Sequence, residues 1–439
     1  MNPIDAKLDM LFSAIDEFET VKSIGKVEEI IGLLIVSKGP SVAVGDLCYV
    51  IPPNSSRKIP VEVVGFRGEQ VLSMALGDMT GIAPGSKIES TGTTFSVKVG
   101  DQLLGRILDG LGKPMDGKGD IKVGTLKSIY QDPPNPLTRK RIDTPLPTGV
   151  RVIDGLLTTG RGQRVGIFAG SGVGKSTLLG MIARNSDADV NVIALVGERG
   201  REVREFLEKD LGEDGLKKSV VVIATSDQPS LIRVKSAFVA TTIAEYFRNK
   251  GKNVVLMMDS LTRIALAQRE IGLTIGEPPT TRGYTPSVFA LMPKLLERAG
   301  NDEFGSITGL YTVLVEGDDM NEPVADTARS ILDGHIVLSR KLAAAAHYPA
   351  IEVLSSASRV LRDITEKDHQ QIVSAVLDMM ATFREAEDLI NIGAYVKGSN
   401  PKIDNAIKYM PRIIQFLRQN IDEYSSYEDT VNQLKNLIT

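Results

Sequence analysis

The chain has 439 residues, of which 42% are hydrophobic and 24% charged, and a formal net charge of −4. That length exceeds what one compact core fills and predicts two or three domains. Mild acidity without a basic block argues against a general binder of nucleic acid or anionic membrane, and the single cysteine, Cys48, excludes an internal disulfide framework and fits a reducing compartment.

The first stretch, "MNPIDAKLDMLFSAIDEFET", carries acids throughout and lacks the basic segment and apolar run of a signal or transit peptide. No apolar run approaches the length of a bilayer span, so a cytoplasmic location is expected. Ile4, Leu8, Leu11, Phe12 and Ile15 fall on one face of a helix assigned to residues 1–22. That helix either caps the next domain or docks a partner, and the sequence favours neither.

Residues 23–95 change character. Short runs such as "GLLIVSKG", "DLCYVIPP", "KIPVEVVGF" and "QVLSMALG" alternate with Gly, Pro and Asn, which predicts a small antiparallel barrel with Cys48 in its core. Over residues 96–365, apolar strands alternate with helical patterns: "QRVGIFAG" with "KSTLLGMIARN", "VNVIALVG" with "REVREFLEKDLG", then "KSVVVIAT" and "KNVVLMMDS". Strands of nearly continuous Val, Ile and Leu imply a parallel sheet covered by helices. Residues 366–439 read as helical, with a stripe of Val373, Val376, Leu377 and Met380 and with Pro401 and Pro411 near helix starts. The predicted class is α/β: a central P-loop parallel-sheet domain, an N-terminal β-barrel and a C-terminal helical domain.

The segment "FAGSGVGKST" nearly matches G-x-x-x-x-G-K-[ST], with Ala169 in the first glycine's place. A phosphate cradle needs inward backbone N–H groups and little bulk, which Gly170, Gly172 and Gly174 supply, and a helix N-terminus follows. The loop as a whole runs Ala169, Gly170, Ser171, Gly172, Val173, Gly174, Lys175, Ser176 and Thr177. Lys175 is assigned to the outer phosphates and Ser176 to Mg2+. Ala169 falls at the strand exit, where a methyl is tolerable. "NVVLMMDS" ends a buried strand in Asp259, a carboxylate suited to the Mg2+ shell. "LVGERGREV" places Glu198 at another strand end, where it could orient a water, although a surface ion-pair cluster with Arg199 and Glu202 is the bland alternative.

Several long motifs then occur in order: "GRILDGLGKPMDG", "PLPTGVRVIDGLLTTGRGQRVGIFAGSGVGKST", "MMDSLTRIALAQREIG", "PPTTRGYTPSVFALMPKLLERAG", "EGDDMNEPVADTARSILDGHIVLSR" and "YPAIEVLSSASRVL". Together they resemble the bacterial flagellar protein-export ATPases and their type III secretion relatives, kin to the subunits of rotary ATP synthases. Members of that family commonly carry alanine where Ala169 stands. The resemblance implies ATP and Mg2+ as cofactors, with Lys175 and Ser176 on phosphate and metal, Asp259 beside the metal and Glu198 activating water. It also implies that Arg199 and Arg263 lie near the phosphates, that Tyr348 packs on adenine, and that Arg359 is an arginine finger given to a neighbouring subunit.

The partners it implies are five identical subunits completing a hexamer, an elongated regulatory homodimer at the N-terminus, a central coiled-coil stalk protein, a membrane export gate and chaperone–substrate complexes, with no nucleic acid. The place it implies is the cytoplasmic face of the inner membrane. An ATP synthase catalytic subunit is disfavoured because the tail "KYMPRIIQFLRQNIDEYSSYED" lacks the acidic "DELSEED" lever, and the insertion of vacuolar-type catalytic subunits is missing too. A hexameric RNA translocase would want aromatics among basic residues on the barrel, and Tyr49 and Phe66 with Arg57 and Lys58 make no clear platform. Flagellar and virulence secretion share every catalytic motif, and only the tail "INIGAYVKGSNPKIDNAI" has a flagellar look.

Overall fold

The computed structural model describes residues 23–315, 317 and 319–438, and the amphipathic segment 1–22 lies outside the described residues. The chain divides into two compact units, one of residues 23–95 with Thr274–Gly276, the other of Ser96–Leu273 with residues 277–438.

Six strands build the first unit: Ile24–Ile31, Leu34–Lys38, Asp46–Ile51, Ile59–Arg67, Gln70–Ala75 and Lys87–Thr94. The first pairs with the second, then the fifth, fourth, third and sixth follow, and the sixth returns to the first, closing the barrel. Closure removes the exposed strand edges that an open sheet of this size would leave. Inward positions alternate along the strands, and Val27, Ile35, Cys48, Val50, Ile59, Val61, Val63, Val71 and Ile88 fill the interior. Burial first, with Asp46 adding to it, pushes the Cys48 thiol up to about 11, so this cysteine is a core residue. Arg57 and Lys58 are turned to acids, Asp78 at 3.7 Å and Glu89 at 3.3 Å.

The described residues of the second unit form a nine-stranded sheet. Its order across the main path is Ala357–Ser358, Gly334–Leu338, Arg164–Ala169, Ser306–Leu314, Asn253–Asp259, Val190–Val196, Ser219–Ala224 and Arg106–Asp109. All neighbours but the first pair run parallel. Every residue of Val190–Val196 and of Ser219–Ala224 is buried, as strands covered on both faces require. Parallel strands put all their carboxyl ends on one edge, where ligands of such sheets sit.

Arg298 is a cation held fully in the interior. Arg298 is 1% exposed and gives Nε and Nη2 to Glu245 at 2.8 and 2.6 Å, Nη2 to Thr242 at 3.0 Å and Nη1 to the Ile129 carbonyl at 2.6 Å.

Helices Lys367–Asn391, Pro401–Leu417 and Tyr427–Lys435 follow the sheet. Their Val373, Val376, Met410, Ile413, Phe416 and Leu434 belong to the same buried cluster as the sheet residues Ile167, Ile193 and Met257. Leu377 and Met380 pack against it half-buried. Pro401 stands in the first helical turn after the cap Asn400, as its missing N–H allows. Pro411 does not mark a start, because it lies inside Pro401–Leu417. Its ring withholds one hydrogen bond from the carbonyl four residues back. The helix continues because Ala406, Met410, Ile413, Phe416 and Leu417 are buried on one face, and packing outweighs the local loss. Among the described residues no helix is long and apolar enough to cross a membrane.

Candidate active site

The strand Arg164–Ala169 ends at Ala169, which is 1% exposed, and helix Lys175–Asn185 begins six residues later. Between them the chain turns at Gly172 and Gly174, with φ of 76° and 89°, values that favour glycine. A Cβ at Gly172 would meet nothing within 4 Å, so that side of the loop is open. A Cβ at Gly170 would lie 2.6 Å from Arg340 Nε, so a larger residue there would require the guanidinium to move aside. Ser171 and Gly172 are exposed, Val173 is buried beneath them, and Gly174 to Thr177 are half-buried. The helix has no side-chain cap at Gly174, which leaves its first N–H groups and the positive end of its dipole facing the loop.

Lys175 Nζ lies 2.5 Å from Asp259 Oδ1 and 3.5 Å from Glu198 Oε1. Burial alone would lower the ammonium's pKa, but the two carboxylates outweigh it and hold the group above its ordinary value. Asp259 closes strand Asn253–Asp259, is 4% exposed, and accepts a second hydrogen bond on Oδ1 from Thr312 Oγ1 at 2.6 Å. Glu198 follows Gly197, whose φ of 73° and contact with the Arg263 side chain exclude a Cβ there. Burial is the main reason that the Glu198 carboxyl is pushed up to about 7. Lys175 opposes that rise, Asp259 and Glu202 add to it, and Arg263 opposes it. Glu198 Oε1 and Arg263 Nε are buried without a hydrogen-bond partner. Such atoms are costly unless something in the working site satisfies them.

A pocket of about 570 Å³ joins these groups, lined by Ala169–Gly172, Gly174–Thr177, Glu198, Arg199 and Arg263. The structure therefore gathers Lys175, Ser176, Glu198, Arg199 and Arg263 from separate strand ends, with Asp259 reached through Lys175. The surface ion-pair reading of "GERGRE" holds for one part only: Arg199, with 80% of its side chain exposed, faces Glu202 at 3.8 Å. Sequence reasoning missed Arg340, Asp210 and Thr312. Asp210 reaches the pocket because helix Gly200–Glu205 widens into a π-helical turn over Phe206–Leu211. Burial raises its pKa, and a hydrogen bond from Thr177 lowers it.

Tyr348 is 45% exposed, and a Cβ on Gly174 would lie 3.6 Å from its ring. The ring borders a second pocket, of about 910 Å³, shared with Gly172, Gly174, Thr177 and the segment Gln419–Glu423. The two pockets thus meet across the P-loop, one lined by charged and polar groups, the other walled by an aromatic face. Gln419 ties the parts together, giving its N–H to the Tyr348 carbonyl at 3.0 Å and its side-chain amide to the carbonyls of Gly149 and Glu423.

Arg359 is not brought to this site. Its N–H bonds the Asp333 carbonyl and its Nη2 the Arg329 carbonyl, each at 3.1 Å. Asp333 precedes strand Gly334–Leu338 and pairs with Arg164, the first residue of the P-loop strand. Arg359 is thus anchored at the amino end of that strand, roughly 16 Å of extended chain from the loop at its carboxyl end.

The donor set suits a magnesium nucleotide. Among the described residues no group of three or more His, Cys, Asp or Glu is arranged to hold a metal alone. A hydroxyl such as that of Ser176 and a carboxylate such as that of Asp259 are the sparse hard-oxygen ligands that hold Mg2+ together with phosphates.

This loop, strand-end acid pair and parallel sheet define a P-loop nucleoside triphosphatase. Residues 149–358 match the ATP synthase alpha/beta family nucleotide-binding domain, residues 27–92 that family's beta-barrel domain, and residues 365–436 the T3SS EscN ATPase C-terminal domain. The chain is 56% identical to the flagellum-specific ATP synthase of Bacillus subtilis (strain 168), over 98% of this chain and 99% of that one. It is 51% identical to the type 3 secretion system ATPase of Xanthomonas euvesicatoria, over 93% of each. The structure of the assembled ATPase EscN from the enteropathogenic E. coli type III secretion system superposes with a TM-score of 0.90 at 48% identity, covering 94% of this chain and all of that one. The chain belongs to the ATP synthase alpha/beta family, as an ATP-hydrolysing member of its flagellar and type III secretion branch.

Proposed function

We propose that this protein hydrolyses ATP to drive protein export through the flagellar type III secretion apparatus. The observation that carries the reading is the strand-end cluster of Lys175, Asp259 and Glu198, set at the foot of an open glycine cradle. When the nucleotide arrives, Lys175 exchanges its carboxylate partners for the outer phosphates. Ser176 and Asp259 are the residues that would hold Mg2+, which when bound would supply positive charge against the charge that grows on the phosphates. Glu198 turns its unpartnered Oε1 to a water and orients it toward the γ-phosphate. Arg263 and Arg199 add positive charge at the pocket mouth, and Tyr348 stacks on the adenine.

Arg359 serves the neighbouring subunit. Its anchorage at the far end of its own P-loop strand supports that reading, and head-to-tail contacts between identical chains close into a ring, here a hexamer. An arginine delivered in trans adds about 10³ to 10⁵ in rate, so turnover rises faster than linearly with protein concentration. The remaining assignments extend the same reading: a cytoplasmic ring at the inner-membrane export gate that takes chaperone–substrate complexes, with residues 1–22 on an elongated regulatory homodimer. A central coiled-coil stalk fits too, since a relative of known structure was seen as EscN with its central stalk EscO.

The test mixes Arg359→Ala with Glu198→Gln, each inactive alone. Mixed rings contain sites with an intact glutamate facing an intact finger, and activity returns. A mixture that stays inactive, with mixed rings verified, removes Arg359 from the neighbour's site. The identity to the Xanthomonas enzyme favours virulence secretion as the second reading. Restored swimming in a Bacillus subtilis strain lacking its flagellum-specific ATP synthase selects the first.

A further inference from the structure

Strand Ser306–Leu314 runs between the P-loop strand and the strand that ends in Asp259. In this register Thr312 stands beside Ile167 on one side, while Tyr311 pairs with Met258 on the other. Thr312 is completely buried. Its hydroxyl has one proton and two acceptors within reach, the Met258 carbonyl at 3.4 Å and Asp259 Oδ1 at 2.6 Å. The shorter contact to the ionised oxygen takes the proton.

Asp259 Oδ1 therefore accepts from both Lys175 and Thr312, and among the described residues no hydrogen bond reaches Oδ2. Lys175 leaves this carboxylate when phosphates bind. A carboxylate torsion is broad, so nothing intrinsic would stop the carboxylate plane from turning once that partner is gone. Thr312 is the partner that stays, and its β-branched side chain is stiff at χ1. We propose that Thr312 is a positioning residue: by holding one oxygen of Asp259 it fixes the carboxylate plane, so that the other oxygen stays available to the Mg2+ shell as Lys175 departs. This rests on the reading that Asp259 serves the metal.

The measurement is the affinity of the full-length protein for a fluorescent ADP analogue, with saturating Mg2+ and with EDTA, alongside thermal unfolding. In the wild type Mg2+ tightens binding. Thr312→Val lowers that tightening about tenfold, the scale of one hydrogen bond to a charged group. Its affinity in EDTA and its melting temperature stay close to wild type, and Thr312→Ser recovers most of the loss. Thr312→Ala removes the same hydroxyl without setting a methyl against the carboxylate, and it reads the same quantity should the valine variant fail to fold. Equal losses with and without Mg2+ would mean a merely structural threonine and overturn the proposal. Full tightening in the Thr312 variants, with tightening lost in Asp259→Ala, overturns Thr312 alone. Full tightening in Asp259→Ala overturns the reading of Asp259, and Thr312 falls with it.

Discussion

Arg298 and Lys175 are both cations held against carboxylates inside the same unit, yet they are finished differently. Arg298 sends each of its three nitrogens to an acceptor, and Glu245 receives two of those bonds. Around Lys175 the hydrogen bonds are incomplete: Glu198 Oε1, an ion-pair neighbour at 3.5 Å, and Arg263 Nε are buried without a hydrogen-bond partner, and Asp259 is held by one oxygen. A saturated buried pair does structural work, since every lone pair and proton is already spoken for. An unsaturated one sits at higher free energy alone and falls when a ligand supplies what is missing. Burial and charge do not separate the two clusters, whereas the count of open valences does.

The largest effect comes from breaking the saturated cluster. Arg298→Ala strands Glu245 in the interior and lowers stability by about 3–5 kcal/mol. Chemical denaturation measures it, and turnover per folded molecule stays near wild type. A stability loss below about 1 kcal/mol would erase the difference between the two clusters, since that is the value of an exposed pair.

Glu198→Gln makes the opposite change. It keeps the shape, removes the basic carboxylate and slows hydrolysis at least about a hundredfold, while Mg-nucleotide binding persists and unfolding is little altered. Near-normal turnover removes Glu198 from the mechanism. Lys175→Ala goes further on binding, since the charge that balances the outer phosphates is gone, and equilibrium titration with nucleotide shows it.

Asp154 sharpens the contrast as a buried carboxylate with donors but no cation. Thr148 N–H and Oγ1 and Gly149 N–H all bond it at 2.7–2.9 Å. Burial, the dominant cause, still pushes its carboxyl up to about 7 against those donors. A raised carboxyl pKa means that the folded state binds the proton more tightly than the unfolded chain does. Its contribution to stability is therefore complete below the ordinary value near 3.8 and is lost as pH rises through about 7. Asp154→Asn flattens that slope, and unfolding measured across pH 4–7 reads it. An unchanged slope in the variant assigns it to other groups. This is the smallest of the expected effects.

These clusters were unequally legible in the sequence. Lys175 and Ser176 stand in a contiguous motif, and Asp259 and Glu198 each end an apolar run, so local pattern plus the strand-end rule found them. The barrel and parallel sheet were equally plain, because short β-rich runs broken by Gly, Pro and Asn mark small-barrel strands and continuous Val/Ile/Leu runs mark strands buried on both faces. Thr312 lies 53 residues from Asp259 and its strand carries other hydroxyls, so only the strand order shows which one meets the acid. Gln419 and Arg340 reach the P-loop by tertiary folding, with no local signal beyond their polarity. Pro411 misled because a proline's local cost was read without the buried face that outweighs it. Arg298 looked like any lysine or arginine in "LLERAG", and nothing in its neighbours marks it as interior.

The anchorage of Arg359 at the far end of its own strand carries a consequence for inheritance of defects. If each site is half from one chain and half from the next, a subunit lacking only Arg359 spoils one neighbour's site, and one lacking only Glu198 spoils its own. A subunit lacking both spoils two sites at once. In cells making wild-type and defective chains together, surviving sites then fall in proportion to the wild-type fraction for either single variant, but as its square for the double variant. The double variant is the stronger poison, although no single chain of it is more inactive than the others.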